Sequence, residues 1–164
     1  MKAIVVYESF WGNTATVARA IGEGIGGETA VLTTDQATAA VVAEADLLVV
    51  GSPVIGFSLP QEKMRQELAA QVKKGVAPPD LAHPSLRSWL DALRLGKGRF
   101  AAFETRIWWS LGGATGAIER GLAKAGYARL LKRERFIVQG GQGPLRDGEL
   151  DRAKAWGARL AGAM

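Results

Sequence analysis

The chain has no cysteine and a single histidine, His83. The first absence excludes disulfides, thiolate metal sites, iron–sulfur clusters and cysteine nucleophiles together. The second removes most zinc sites and most histidine-based triads. Any chemistry must then come largely from a bound cofactor. Long apolar runs are also missing: stretches such as Ala45 to Val50 fall far short of the roughly 20 residues that span a bilayer. The short apolar run behind Lys2 lacks the length of a signal-peptide core. No membrane span and a cytoplasmic location are expected. Aromatic residues make up only 7% of the chain, and none interleaves with its densest basic cluster, Lys132-Arg133-Glu134-Arg135. The net charge of +5 therefore does not read as a nucleic-acid surface, which stacks bases on aromatics between cations. Solubility, or an acidic protein partner or anionic substrate, accounts for it better.

What is present is an alternation. At 164 residues and 48% hydrophobic content the chain suits one domain with a sizeable core. Apolar runs at 2–7, 30–32, 46–51, 99–104 and 135–139 read as strands, the stronger ones without polar alternation and so buried on both faces. Helical spacing appears between them: Val17, Ile21 and Ile25; a short stretch 38–43; Met64, Leu68 and Val72; Leu86, Trp89, Leu90 and Leu93; Ile118, Leu122 and Ala125; Leu150, Ala153, Gly157 and Leu160. Five strands alternating with helices predict a three-layer α/β/α, doubly wound, five-stranded parallel sheet with right-handed crossovers. The Pro-rich stretch of about 75–98, between the third and fourth strands, is longer than a crossover needs and reads as an insert within a single 1–164 domain.

Ligands of such sheets sit beyond the carboxyl ends of the strands. Three irregular loops fall there. In the first, Ser9-Phe10-Trp11-Gly12-Asn13-Thr14, a buried strand opens directly into a helix, whose free amides and partial positive charge suit a phosphate without any lysine. Ser9 and Thr14 offer hydroxyls, and Gly12 permits close approach of the backbone. No G-x-G-x-x-G follows this strand and no G-x-x-x-x-G-K-[ST] occurs, so neither a dinucleotide nor a nucleoside triphosphate is indicated. The second loop opens with Ser52-Pro53-Val54-Ile55-Gly56-Phe57. The third, taken as 105–113, contains Thr105, Arg106, Trp108 and Trp109.

The first loop resembles the phosphate loop of flavodoxins, [ST]-x-[ST]-G-x-T. Ser9, Gly12 and Thr14 match that pattern and Trp11 departs from it. Gly51-Ser52-Pro53-Val54-Ile55-Gly56 resembles the flavodoxin loop G-[CS]-P-x-x-G beside the isoalloxazine ring. The resemblance implies noncovalently bound FMN, its 5′-phosphate on residues 9–14, and an Ile55–Gly56 peptide that reorients toward the flavin N5–H. Phe57 is then a candidate to stack on the ring. Where many flavodoxins carry acids after that glycine, this chain has Phe57 and Ser58, which implies a less negative potential for forming the anionic reduced flavin. The third loop matches by position alone. Its tryptophans suit a wall on the ring, a cover for a core edge or a docking patch; Arg106 and Thr105 either reach the ring's N1/O2 edge or do not.

The family resemblance implies an electron carrier between redox partner proteins. Two alternatives stay open: an FMN-dependent oxidoreductase of a small molecule such as a quinone or porphyrinogen, and a flavin-free binding module, for which Trp11 speaks.

Overall fold

The computed structural model describes residues 1–72 and 74–164. Strand β1 (Lys2–Tyr7) lies inside the sheet, paired in parallel with the edge strand β2 (Glu28–Thr33) on one side and the central strand β3 (Leu47–Pro53) on the other. Next to β3 comes β4 (Arg99–Ile107). The next strand position is shared: β5 (Ala128–Arg129) pairs with Arg99–Phe100, and β6 (Glu134–Val138) pairs with Phe103–Ile107. Between them Leu130 and Leu131 turn in against the core. The order 2-1-3-4-5, with that last strand in two pieces, is the doubly wound parallel sheet expected.

Alternate residues of the central strands feed two separate cores, because successive side chains in a strand point to opposite faces. Ile4, Val6, Leu48, Val50, Phe100 and Ala102 pack with α4 (Leu86–Asp91) and α5 (Thr115–Lys124) through Trp89, Leu90, Ile118 and Leu122. Ala3, Val5, Leu47, Val49, Ala101 and Phe103 pack with α1 (Asn13–Ile25) and α6 (Glu149–Gly162) through Val17, Ile21, Trp156 and Leu160. Fully burying each such aliphatic side chain stabilises by about 1.5–3 kcal/mol. Helices α1 and α6 approach closely because two glycines let them: a Cβ on Gly24 would run into the Lys154 carbonyl, and one on Gly157 into that of Ile21. Leu150, expected on the inner stripe of α6, is 42% exposed.

Helix α2 (Ala39–Ala43) is capped by Thr38, whose side chain accepts from the Val41 amide, and α4 by Ser85, which accepts from Ser88. The largest departure from expectation is α3 (Glu62–Ala70). The spacing of Met64, Leu68 and Val72 predicts an apolar face closing at Gly75. The helix instead ends at Ala70, Lys73 lies outside the described residues, and Val72 is 45% exposed. Arg65 is the residue it buries. The sheet face on this side is covered instead by α4, in the stretch expected as an insert. Among the described residues no helix is long and apolar enough to cross a membrane.

Candidate functional site: a cleft at the carboxyl ends of the strands

A cleft of about 250 Å³ opens where β1, β3, β4 and β6 end. Its first wall is the loop from β1 to α1. Gly12 takes φ +92°, where a side chain is strained, and turns the chain into the helix. Thr16 donates the first intrahelical hydrogen bond, to the Gly12 carbonyl at 3.0 Å. The amides of Asn13, Thr14 and Ala15 therefore have no acceptor within α1, and no acidic residue sits in its first turn. Ser9 Oγ accepts the Gly12 amide at 3.1 Å, which leaves its own O–H to donate. Thr14 and Thr105 share a buried hydrogen bond at 2.8 Å between their hydroxyls.

Trp11 borders the cleft, yet its indole is held from outside: Nε1 donates to the Ala77 carbonyl at 3.0 Å. The Asp80 amide donates to the Phe10 carbonyl at 2.8 Å. Residues 77–84 thus form a strap over this loop. Arg65 Nη2 donates to the His83 carbonyl at 2.6 Å, and Thr34 donates to that of Pro84 at 2.7 Å. His83, given no role from sequence, sits 2.7 Å from Asp35 and 3.6 Å from Asp80.

The second wall is a tight turn. Ile55 and Ser58 exchange backbone hydrogen bonds at 3.0 and 3.3 Å around Gly56 at φ +57° and Phe57 at φ +65°. Positive φ at both central residues is the type I′ geometry. Glycine adopts it freely; phenylalanine does not, so Phe57 is a local strain held by its surroundings. The Phe57 carbonyl accepts the Gly113 amide at 3.0 Å, tying this turn to the third loop. Phe57, with 58% of its surface exposed, stands at the rim.

The third wall differs from the expected loop. Strand β4 continues through Ile107, so Thr105 and Arg106 are strand residues. Arg106 does not reach freely for a ring edge: it is 7% exposed and donates to Glu104 at 2.9 Å and to the Gly112 carbonyl at 2.8 Å. Glu104, wholly buried, accepts from the Ala114 and Thr115 amides at 2.7 and 3.0 Å. It therefore caps α5 from the neighbouring strand and anchors Arg106 with the other oxygen. Trp109 lines the cleft, whereas Trp108 is 74% exposed outside it.

Ser9, Phe10, Trp11, Asn13, Thr14, Pro53, Val54, Ile55, Gly56, Phe57, Thr105, Arg106 and Trp109 are thus brought together. Ser52 is not among them: it is buried, its hydroxyl on the Pro53 carbonyl. Gly12 faces a smaller cavity behind the loop. Sequence reasoning missed Ile107, Ser110, Val138 and Gly141, which complete the cleft. The glycine run 140–143 after the last strand was the available signal for Gly141, since that loop also leaves a carboxyl end. The smaller cavity, about 100 Å³, contains an ion pair with no sequence signature: Glu8 Oε2 lies 3.3 Å from Arg65 Nε, both side chains over nine-tenths buried. Burial pushes the Glu8 carboxyl up to about 7, against the pull of Arg65. Among the described residues no cluster of histidine and carboxylates is placed to hold a metal.

No protein-family model matches the chain, and no curated protein matches it by sequence. Solved structures do match. A flavodoxin from the domain Archaea is 22% identical, covers 99% of this chain and 97% of its own, and superposes with a TM-score of 0.64. Flavodoxin 2 from Bacillus cereus is 14% identical over the whole of both chains, with a TM-score of 0.69. The Flv1 flavodiiron core from Synechocystis is 18% identical and matches 99% of this chain with 36% of its own, at a TM-score of 0.64. At such identities the likeness establishes one thing, that this chain has the flavodoxin-like α/β/α fold.

Proposed function

We propose that the protein binds FMN noncovalently and passes electrons between protein partners. The observation that carries this reading is the Ser9–Thr14 turn, whose free amides and spare serine hydroxyl converge at the start of α1, with no acid in the helix's first turn. One phosphate fits that donor set. Trp11 does not stand against it, because its indole is tied outward to Ala77.

When bound, FMN supplies the one- and two-electron chemistry that no side chain here provides. The residues of the chain bind and orient. Asn13, Thr14 and Ala15 amides and the Ser9 hydroxyl hold the phosphate. Thr105, through its bond to Thr14, fixes the rotamer of that hydroxyl. Phe57 and Trp109 border the apolar part of the cleft and limit water there. The Ile55–Gly56 peptide sits in the turn where glycine accepts either peptide orientation. Arg106 braces the 107–113 loop rather than meeting the ligand by charge.

Protein partners are favoured over a small substrate by the rim, where Phe57, Trp108, Trp109 and Leu111 are each 58–74% exposed. Large apolar side chains exposed beside a cleft suit docking. Absorption and fluorescence of the purified protein, before and after adding FMN, test the reading. Perturbed flavin bands and quenched fluorescence at micromolar FMN are expected, and no binding there overturns it. Steady turnover of a quinone with NAD(P)H would assign the protein to the oxidoreductases instead.

A further inference from the structure

We propose that Glu8 takes up a proton when a phosphate dianion settles on Ser9–Thr14, so that ligand binding at this site is proton-coupled through the Glu8–Arg65 pair. This rests on the phosphate reading above and adds a regulation to it.

The geometry behind it is a back-to-back arrangement. Ser9 lines both the main cleft and the smaller cavity behind it, and Glu8 is the next residue along the chain. The Glu8 carboxylate is 5% exposed, and among the described residues its Oε1 has no hydrogen-bond partner although it is buried beside a cavity of about 100 Å³ that Ser9, Thr33, Asp80 and His83 also line. Its Oε2 meets Arg65 Nε at 3.3 Å and the Leu86 amide at 3.4 Å. Arg65 is otherwise committed, to Glu62 at 2.9 Å and the His83 carbonyl at 2.6 Å. An orphaned carboxylate oxygen next to a cavity of that size has a ready route to a solvent proton, since roughly three waters would fill the space.

The charged and titratable neighbours define which way the proton goes. Arg65 and Glu62 face Glu8 from α3, Arg87 from α4, Asp80 and His83 from the strap, and Tyr7 from its own strand. In the free protein burial outweighs Arg65, and the carboxyl titrates at about 7. A dianion held one residue away adds like charge in a weakly screened interior, which disfavours the carboxylate further. Protonation puts hydrogen on Oε1 and changes the Glu8–Arg65 pair from net zero to +1, with Arg65 still paired to Glu62. The removal of one negative charge from behind the phosphate loop favours the dianion. Since the Glu8 pKa is higher in the bound state, the gain in affinity is full at pH below the free-state value and fades as pH rises through 7 and beyond.

The test is calorimetric titration of FMN at pH 8 in two buffers of different ionisation enthalpy. At that pH a phosphate monoester, with a second pKa of about 6, is already a dianion, so uptake reports the protein. About half a proton per FMN is expected, with none for riboflavin and none in Glu8→Gln, and the Kd for FMN rising about fivefold from pH 7 to pH 9. Should Glu8→Gln fail to fold, ¹³C NMR of the wild-type Glu8 carboxyl decides: its midpoint rises by about one pH unit on adding FMN or inorganic phosphate. FMN binding without proton uptake, or with uptake that survives in Glu8→Gln, overturns this proposal and leaves the FMN reading standing. If neither FMN nor inorganic phosphate binds, both fall.

Discussion

At the Ser9–Thr14 end of the cleft, polar side chains tie the loop down: Ser9 accepts the Gly12 amide, Trp11 donates to the Ala77 carbonyl and Arg65 to that of His83, and the Thr14 and Thr105 hydroxyls bond each other. At the Phe57–Leu111 end a backbone bond from Gly113 to Phe57 and the Arg106 side chain on the Gly112 carbonyl hold a loop whose large apolar side chains stand out into solvent. The first end suits a small charged group that must be met by fixed donors. The second suits flat apolar surfaces, a ring or a partner, that are met by area. The two ends should therefore respond differently to mutation.

The strongest test of the second end lies behind it. Glu104→Ala removes the cap of α5 and leaves Arg106 buried without its partner, so it should cost about 3–5 kcal/mol in urea unfolding and loosen the aromatic rim. A similar cost without any change at the rim would show that the wall does not depend on Glu104. Behind the first end, pH is the lever. The Glu8 carboxyl rises from 4.5 to about 7 in the fold, so the unfolded chain sheds its proton first as pH rises. Stability should fall by about 3 kcal/mol between pH 4.5 and 7 from this group, and Glu8→Gln should flatten that slope. Glu149 acts in another window: burial opposes its charge, but hydrogen bonds from Arg152, the Ile137 amide and Arg146 hold its pKa below 4.5. Its contribution is present above 4.5 and is lost as pH falls through the lowered value.

Trp11→Phe keeps the ring and drops the bond to Ala77. A loss of about 1 kcal/mol and a matching few-fold weaker FMN affinity are expected by thermal unfolding and fluorescence titration. Unchanged affinity would mean that the strap is not part of the site. Phe57→Gly has the smallest expected effect on stability, a gain of about 0.5–1 kcal/mol from relieved positive φ after the entropy cost of glycine. FMN affinity should fall in the same variant, because the rim loses its ring.

The contrast between the two ends also explains what was readable in the sequence. The alternation of strands and helices, and the helices α1, α5 and α6, follow from local patterns, since Val17-Ile21-Ile25 or Ile118-Leu122 meet a core that such spacing implies; the order of the strands in the sheet does not. The shape of the β1 turn was legible because its backbone geometry is encoded locally by Gly12 and its neighbours. Helix α3 misled, because Met64 and Leu68 have helical spacing but α4 occupies the sheet. The Glu8–Arg65 and Glu104–Arg106 pairs were invisible for a different reason. The first joins residues distant in sequence, and the second gains its meaning only from the amides of α5 that β4 reaches across space. A charge read in sequence looks solvated until its burial is known.

The central claim is that residues 9–14 hold a single phosphate, and it is tested most directly by comparing FMN with riboflavin, which differ by that group alone. By fluorescence titration at pH 7 the account predicts FMN binding at least about 100-fold tighter, on the order of 3 kcal/mol from charge-assisted hydrogen bonds to fixed donors. Equal affinity for the two would contradict it.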